Sequence, residues 1–445
     1  MSNHVYKLIT HFIIFALLIV FLGKAFFVEY DYFLLYLYGA TVTFVLLVTF
    51  FIAIFKYKDP VLIADEKLKS SEKKDALFVS CMVAVLNEEK FIERCIKSLV
   101  DQTYEHKEII FVNDGSTDST GEILDKYAKR GLIKVIHQKN AGKKKALGQA
   151  MRIAKGELFA FSDSDSIWAE DAIEKIVKIF QTEQEVGGVS GHGRALNANT
   201  NLLTKIQDSW YEGQFSIRKA FESVFGAITC VSGPLAVFRK EAIFNYISAW
   251  EHDSFLGQEF KFATDRTLTG FVLGSKVIGA KLKKKYPNSY FINKYKDRDW
   301  KIVYAKSAKS WTIVPDSVAR IRKQQIRWKK SFIRNIFFTG LFYWRKPFLP
   351  ALFYYLHILF VLVGPFIAFR HLVYLPIRGD IFSIFLYLSG IIFVGFMFGL
   401  VYKIENPKCH IWIYRPLMSL MSTLFLSWII FYSIFTIKKM VWSRT

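Results

Sequence analysis

Glu108-Ile109-Ile110-Phe111-Val112-Asn113-Asp114-Gly115-Ser116-Thr117-Asp118 is an apolar run that ends in a polar turn. Glu108 to Asn113 reads as a strand, and Ser119 to Lys129 as the helix that follows it. The unit repeats on either side. Phe78 to Leu86 is a strand followed by a helix from Glu88 to Leu99. Ile133 to His137 is a strand followed by a helix from Lys144 to Ala154, and Leu158 to Ser162 is the next strand. Such alternation predicts a Rossmann-like α/β domain whose parallel sheet is covered on both faces. Ligands bind beyond the carboxyl ends of such strands. Asn87, Asp114 and Asp163 each follow an apolar strand at that edge.

Outward from this domain the chain turns apolar. Phe33 to Phe55, Ile381 to Tyr402 and Pro416 to Ile437 carry no charge, and Phe348 to Phe369 carries only His357 as an ionisable group. Each approaches the ~20 residues a helix needs to cross a bilayer core. Lys7 to Val28 is expected to be an anchor rather than a cleaved signal, because its apolar run is long, no small-residue cleavage site is evident and a second span follows. Residues 1–56 thus read as two transmembrane helices, and residues 57–334 as a polar α/β domain. Residues 335–445 read as interfacial helices, two more transmembrane helices and a tail. Lys56 and Lys58 end the second span, whereas Glu29 and Asp31 lie between spans one and two. The basic flank places the middle domain in the cytoplasm. The same rule favours an interfacial or re-entrant path for Pro416 to Ile437, which keeps Lys438, Lys439 and Arg444 inside. Before Pro347, Lys329, Lys330, Arg334 and Arg345 interleave with Phe332, Ile333, Phe337 and Phe338, as in a helix lying in the interface.

The net charge is +22 in a chain that is 52% hydrophobic. With several spans present, an anionic lipid surface or a polyphosphate substrate accounts for that excess better than nucleic acid does. Cys81, Cys95, Cys230 and Cys409 have no paired metal-ligand spacing and read as reduced thiols.

Five groups of residues carry candidate chemistry. Asp114, before Gly115, can accept hydrogen bonds from a base or ribose, or simply cap the next helix. Asp163-Ser164-Asp165 after a strand sets two carboxylates one residue apart, suited to a hard divalent cation that bridges phosphates; a solvated loop is the other use of such a pair. Lys143, in Asn140-Ala141-Gly142-Lys143-Lys144-Lys145, brings an ammonium toward a diphosphate or merely starts a basic helix. Thr264-Asp265-Arg266 offers a carboxylate as general base, or a surface ion pair. Gln324, Arg327 and Trp328 lie at helical spacing, where Arg can bind phosphate and Trp can stack on a sugar; an amphipathic helix touching the membrane has the same composition.

Together these groups resemble the processive family-2 glycosyltransferases, in the branch of the hyaluronan and chitin synthases. The resemblance runs from about Phe78 to Arg334. It includes Gly191-His192-Gly193-Arg194-Ala195-Leu196-Asn197, Cys230-Val231-Ser232-Gly233-Pro234-Leu235, Gln258-Glu259-Phe260 and Gln325-Ile326-Arg327-Trp328-Lys329-Lys330-Ser331-Phe332. It implies a GT-A type domain that joins sugars from a UDP-sugar into a β-linked polysaccharide with inversion and extrudes the product. It implies that Asn87, Asp114, Lys143, Asp163 and Arg327 bind the nucleotide sugar. Asp163 and Asp165 would hold Mn²⁺ or Mg²⁺, with Asp265 as the base. Cys230, Ser232, Gly233, Pro234, Gln324 and Trp328 would shape the acceptor site for a growing glycan or a lipid-linked acceptor. The ending Trp442-Ser443-Arg444-Thr445 resembles the branch's gating motif, so Trp442 and Arg444 would close over the nucleotide from the cytoplasmic side.

The chain departs from the branch at Thr264, where an acid is usual, at Ser443 in place of Gly, and in a Lys- and aromatic-rich segment over residues 281–301. It stops where longer members add spans, so a channel would be built from few helices, with a homodimer as one way to supply more. The expected location is the plasma membrane, with membrane lipids as partners and no nucleic acid. Two rival functions follow from the same residues: a transferase adding one sugar to a lipid carrier, and a non-enzymatic basic membrane protein that binds anionic lipid or nucleic acid.

Overall fold

The computed structural model describes residues 33–70, 75–406 and 408–439. The span expected over Lys7 to Val28, the loop with Glu29 and Asp31, and the tail residues Trp442 and Arg444 lie outside the described residues.

The described residues begin with α1 (Phe33–Phe55) and α2 (Pro60–Lys69). Asp59 caps α2, its Oδ1 accepting from Val61 N, and Pro60 fits the first helical position. Asp59 Oδ2 also accepts from Ser307 N at 2.7 Å, and Tyr57 Oη donates to Tyr304 O at 2.9 Å. The end of the first described apolar helix is thereby fastened to the sheet.

The catalytic domain follows as β1 (Val79–Val85), α3 (Ile92–Val100), β2 (Lys107–Asn113), α4 (Thr120–Lys129), β3 (Lys134–His137), α5 (Lys143–Ile153), β4 (Leu158–Ser162), β5 (Ser166–Trp168), α6 (Ala172–Thr182), β6 (Val186–Ala195), α7 (Leu202–Gly213) and β7 (Ala236–Arg239). A short hairpin of β8 (Ser254–Phe255) and β9 (Gln258–Glu259) comes next, then α8 (Thr264–Lys285), β10 (Lys301–Thr312) and α9 (Val318–Thr339). The main sheet has the order β3-β2-β1-β4-β7-β6-β10-β5. β1 to β4 are parallel, as the alternation predicts. β7 is antiparallel to β4 and β6, and β5 is antiparallel to β10, so the sheet is mixed and not all-parallel. Both reversed strands are short, three and four residues.

The two faces of the sheet sort by period two. Val79, Cys81, Val83 and Val85 pack with Ile92, Ile96 and Leu99 of α3 and with Ile173 and Ile176 of α6. Met82, Ala84, Ile110 and Val112 pack with Leu147 and Met151 of α5 and with Trp250 and Leu268 on the other side. Each fully buried Ile, Leu or Phe contributes about 1.5–3 kcal/mol.

α10 (Phe348–Phe369), α11 (Phe382–Glu405), α12 (Arg415–Met421) and α13 (Ile429–Phe435) are the last long helices of the described residues. Among the described residues, four helical stretches are long and apolar enough to cross a membrane, Leu35–Lys69, Phe348–Ile377, Phe382–Ile404 and Ile411–Phe435. Membrane helices and sheet meet at residues 214–224. Phe221 stacks on Phe353 of α10 at 5.2 Å, and Phe215 and Ala220 share a core with Phe50, Met397 and Val401. The final apolar stretch runs along the catalytic domain. Met418 packs with Ile206 and Ile321, Ile430 and Ile437 pack with Ile333 and Phe260, and Lys330 Nζ donates to Lys439 O at 2.6 Å. The segment over residues 281–301 folds back on α8 through Lys283–Asp297 at 2.9 Å and reaches Lys346 through Asp299 at 2.6 Å.

Candidate active site

A cavity of about 590 Å³ opens between the carboxyl edge of the parallel strands, α7, the first turn of α8 and α9. Asn87, Lys143, Asp163, Asp165, Arg327, Asp265, Gln324, Trp328 and the loop residues Cys230, Ser232, Gly233 and Pro234 all line it. Residues up to 241 positions apart in sequence therefore share one wall system.

The strand-end turns are built from side chains that hold backbone. Asn87 has a positive φ of 53°, a conformation that suits Asn. Its Oδ1 accepts from Thr117 N at 2.8 Å and its N–H donates to Ser116 Oγ, which ties the end of β1 to the turn after β2. Gly115, at φ 81°, passes so close to Asn140 that a Cβ there would lie 2.8 Å from its backbone nitrogen. Asp114 is buried. Its carboxylate accepts from Gln138 Nε2 at 2.7 Å and from the N–H groups of Ala141 and Gly142, both at 2.8 Å. Asp114 thus holds the loop that leads into Lys143 and stands behind the cavity lining.

Lys143 begins α5 and pairs with Asp163. Burial works against its charge, but Asp163, Asp265 and Asp165 outweigh burial and raise its pKa. Asp165 accepts from Thr312 Oγ1 at 3.2 Å. Burial first, and Asp163 second, push the Asp165 carboxyl up to about 7. Asp163 and Asp165 face the cavity with two carboxylates, a donor set suited to a hard cation completed by phosphate oxygens and water. Among the described residues no group of three or more His, Cys, Asp or Glu gathers into a protein-only metal cage.

Asp265 stands in the first turn of α8, after Ala263 at φ 60°. Its Oδ1 accepts from Arg266 N at 2.8 Å, and Oδ2 lies 3.5 Å from Cys230 Sγ. Burial, then the Asp265 charge, pushes the Cys230 thiol up to about 12, so it stays protonated beside the carboxylate. Trp168 Nε1 donates to Pro234 O at 2.6 Å and pins the far end of the same loop. On α9, Arg327 has its pKa lowered by burial, against the pull of Asp163 and Asp165. Ser317 caps this helix, accepting from Arg320 N.

Several site residues were not singled out by the sequence. Trp210 of α7 faces Trp328 with ring centroids 5.4 Å apart at 34°. Arg218, Lys219 and Glu222 bring charge to the membrane side of the cavity from a π-helical turn, Gln214–Lys219, and the helix after it. A π turn breaks the 3.6-residue spacing that would have flagged their common face. Behind the wall, buried Asp253 accepts from Lys144 Nζ at 2.9 Å and from Arg334, joining α5 to α9. In sequence these three look like unrelated surface charges.

Residues 80–246 match the family model for glycosyl transferase family 2. Over 373 residues the chain is 27% identical to the hyaluronan synthase of Streptococcus pyogenes, covering 82% of each protein. It is 30% identical over 262 residues to an N-acetylglucosaminyltransferase of Azorhizobium caulinodans, covering 58% of this chain and 60% of that one. A mannosyltransferase from Pyrobaculum calidifontis, solved in complex with GDP-Man and Mn²⁺, aligns with a TM-score of 0.48 at 19% identity, over 86% of this chain and 97% of that one. The middle of the chain, residues 80–246, is thus similar to the glycosyl transferases of family 2. Over most of its length the chain is similar to the hyaluronan synthases.

Proposed function

We propose that the protein is a membrane-embedded, inverting glycosyltransferase that polymerises sugar from a UDP-sugar into a β-linked polysaccharide. The observation that carries this reading is the single cavity in which Lys143, the Asp163/Asp165 pair, Asp265 and Trp328 meet. Lys143 and Arg327 bring positive charge to the place where a diphosphate would leave. Asp265 takes the proton of an acceptor hydroxyl while that oxygen forms the new bond to the anomeric carbon. The bond from that carbon to the diphosphate breaks on the opposite side, and UDP carries away the electron pair. Trp328, backed by Trp210, offers an aromatic face to the acceptor sugar. Asp163 and Asp165 would hold Mn²⁺ or Mg²⁺, which would neutralise charge on the leaving diphosphate.

The membrane setting supports polymer synthesis. The cavity wall at Arg218 and Glu222 belongs to the segment that packs on α1 and α10, so a growing chain would leave toward the apolar helices. Phe337, Leu341 and Trp344 ahead of α10 and Phe348 at its start are exposed apolar side chains, suited to the lipid interface. The contacts of Met418, Ile430 and Ile437 with the catalytic domain support an interfacial path for the last apolar stretch. They also support a C-terminus on the cytoplasmic side of the plasma membrane, with the catalytic domain. A tag after Thr445 that is labelled from outside intact cells would contradict this orientation.

The deciding experiment incubates purified full-length protein with a panel of UDP-sugars and Mn²⁺ or Mg²⁺, and measures UDP release and product size. Long products are expected. Products one sugar longer than a lipid acceptor would replace this reading with single transfer, and no UDP release from any donor would refute it.

A further inference from the structure

Lys219 is buried in the cavity wall, at the end of the π-helical turn. Its ammonium donates to Ser190 Oγ of β6 at 2.7 Å and to Ser232 Oγ at 2.6 Å, and lies 4.4 Å from the centroid of the Phe215 ring. A buried ammonium is costly unless it is hydrogen-bonded, and an apolar side chain would fill the same volume without that cost. The two hydroxyls that hold Lys219 therefore point to what it does.

Ser232 is the midpoint of a loop that touches both reacting halves of the site. At one end Cys230 Sγ lies 3.5 Å from Asp265 Oδ2. At the other, Gly233 lies so close to Asp163 that an added Cβ would sit 2.8 Å from its Oδ2. Glu222 holds the start of the loop, accepting from Thr229 N at 3.0 Å. A shift of Ser232 would move both ends together. We infer that Lys219 is a positioning residue, a clamp on Ser232 that sets the 230–234 loop so that an acceptor hydroxyl, not water, meets Asp265. This rests on the proposed polymerase reading of the cavity.

The groups facing Lys219 are Cys230, Glu222 and Asp265, with Arg266 opposing them. Burial outweighs them and lowers Lys219 to about 8. It is therefore charged below that pH, and above it the charge and one N–H are lost.

The test uses the purified full-length protein, a UDP-sugar that it turns over and two simultaneous readouts, sugar incorporated into product and UDP released by hydrolysis. Lys219→Met should lower the transfer-to-hydrolysis ratio by about tenfold. Ser232→Ala should lower it less, and the double variant should be no worse than Lys219→Met alone, because the two groups act as one unit. The parent ratio should fall as pH rises through about 8, and the Lys219→Met ratio should not respond. Equal losses of transfer and hydrolysis, or additive single effects, would overturn the clamp. Absence of turnover by the parent with every UDP-sugar would refute the reading of the cavity, and the clamp with it.

Discussion

Gly233→Ala adds one methyl group at the centre of the site. Gly233 opens a short 3-10 turn, Gly233–Leu235, in a backbone conformation open to Ala, so the substitution acts through contact alone. The new Cβ would meet Asp163 Oδ2 at 2.8 Å, Oδ1 at 3.2 Å and Cγ at 3.3 Å. Reaching ordinary van der Waals separation requires a shift of roughly 0.6 Å. The loop resists, because Pro234 O is held by Trp168 Nε1 and Ser232 Oγ by Lys219. The Asp163 carboxylate yields instead and turns against its pairing with Lys143. A misplacement of ~1 Å can cost 10²-fold in rate, so a shift of this size should lower kcat/KM for the donor by about tenfold, or ~1.4 kcal/mol. The assay is UDP release against donor concentration, with thermal unfolding run in parallel. The control is Gly390→Ala in α11, where an added Cβ meets no atom within 4 Å. Unchanged kcat/KM in a folded Gly233→Ala protein would refute the idea that this loop sets the Asp163 carboxylate.

Three further outcomes follow from the same geometry. Asp265→Asn should leave donor binding nearly intact and lower turnover by about 10²–10⁴-fold, since only proton transfer is lost; an equal loss of binding would make Asp265 a ligand-holding residue. Asp253→Asn leaves Lys144 and Arg334 buried without their shared carboxylate and should destabilise the fold by about 3–5 kcal/mol, seen as a large drop in Tm; an unchanged Tm would mean that water reaches the cluster. Trp328→Ala removes the ring packed on Trp210 and should raise acceptor KM more than donor KM, by about 1 kcal/mol in binding; equal changes in both would mean a purely structural pair.

That Asn87, Asp163 and Asp165 would meet at one edge of the sheet was legible because they sit where strand periodicity stops. Val79 to Val85 and Leu158 to Ser162 are buried apolar runs, and the polar residue after each run must lie at the sheet edge. The helix after β1 begins at Ile92 and not at Glu88, because the positive φ of Asn87 sends the chain through a turn first. The direction of β7 was not legible, since the four residues Ala236–Arg239 carry no sign of which way they run. The membrane-side wall was hidden for another reason. Arg218, Lys219 and Glu222 come from a helical segment whose register slips by a π turn, and Lys219 and Glu222 find their partners on β6 and in the loop that follows the helix. Asp253 meets Lys144 across 109 residues and Arg334 across 81, distances at which charge pairing leaves no local pattern.

The packing of the last apolar stretch on α9 also orders events in time. Every cavity side chain described here has been synthesised once the ribosome passes Trp328. Yet α9 has a bare outer face until Met418, Ile430 and Ile437 reach it. At about 5–20 residues per second, that interval lasts on the order of 5–20 s. A nascent chain in that interval holds Gln324, Arg327 and Trp328 on a helix whose outer face is still unsupported. The outer face of α9 is thus covered last, after every cavity residue and both preceding apolar helices have been made.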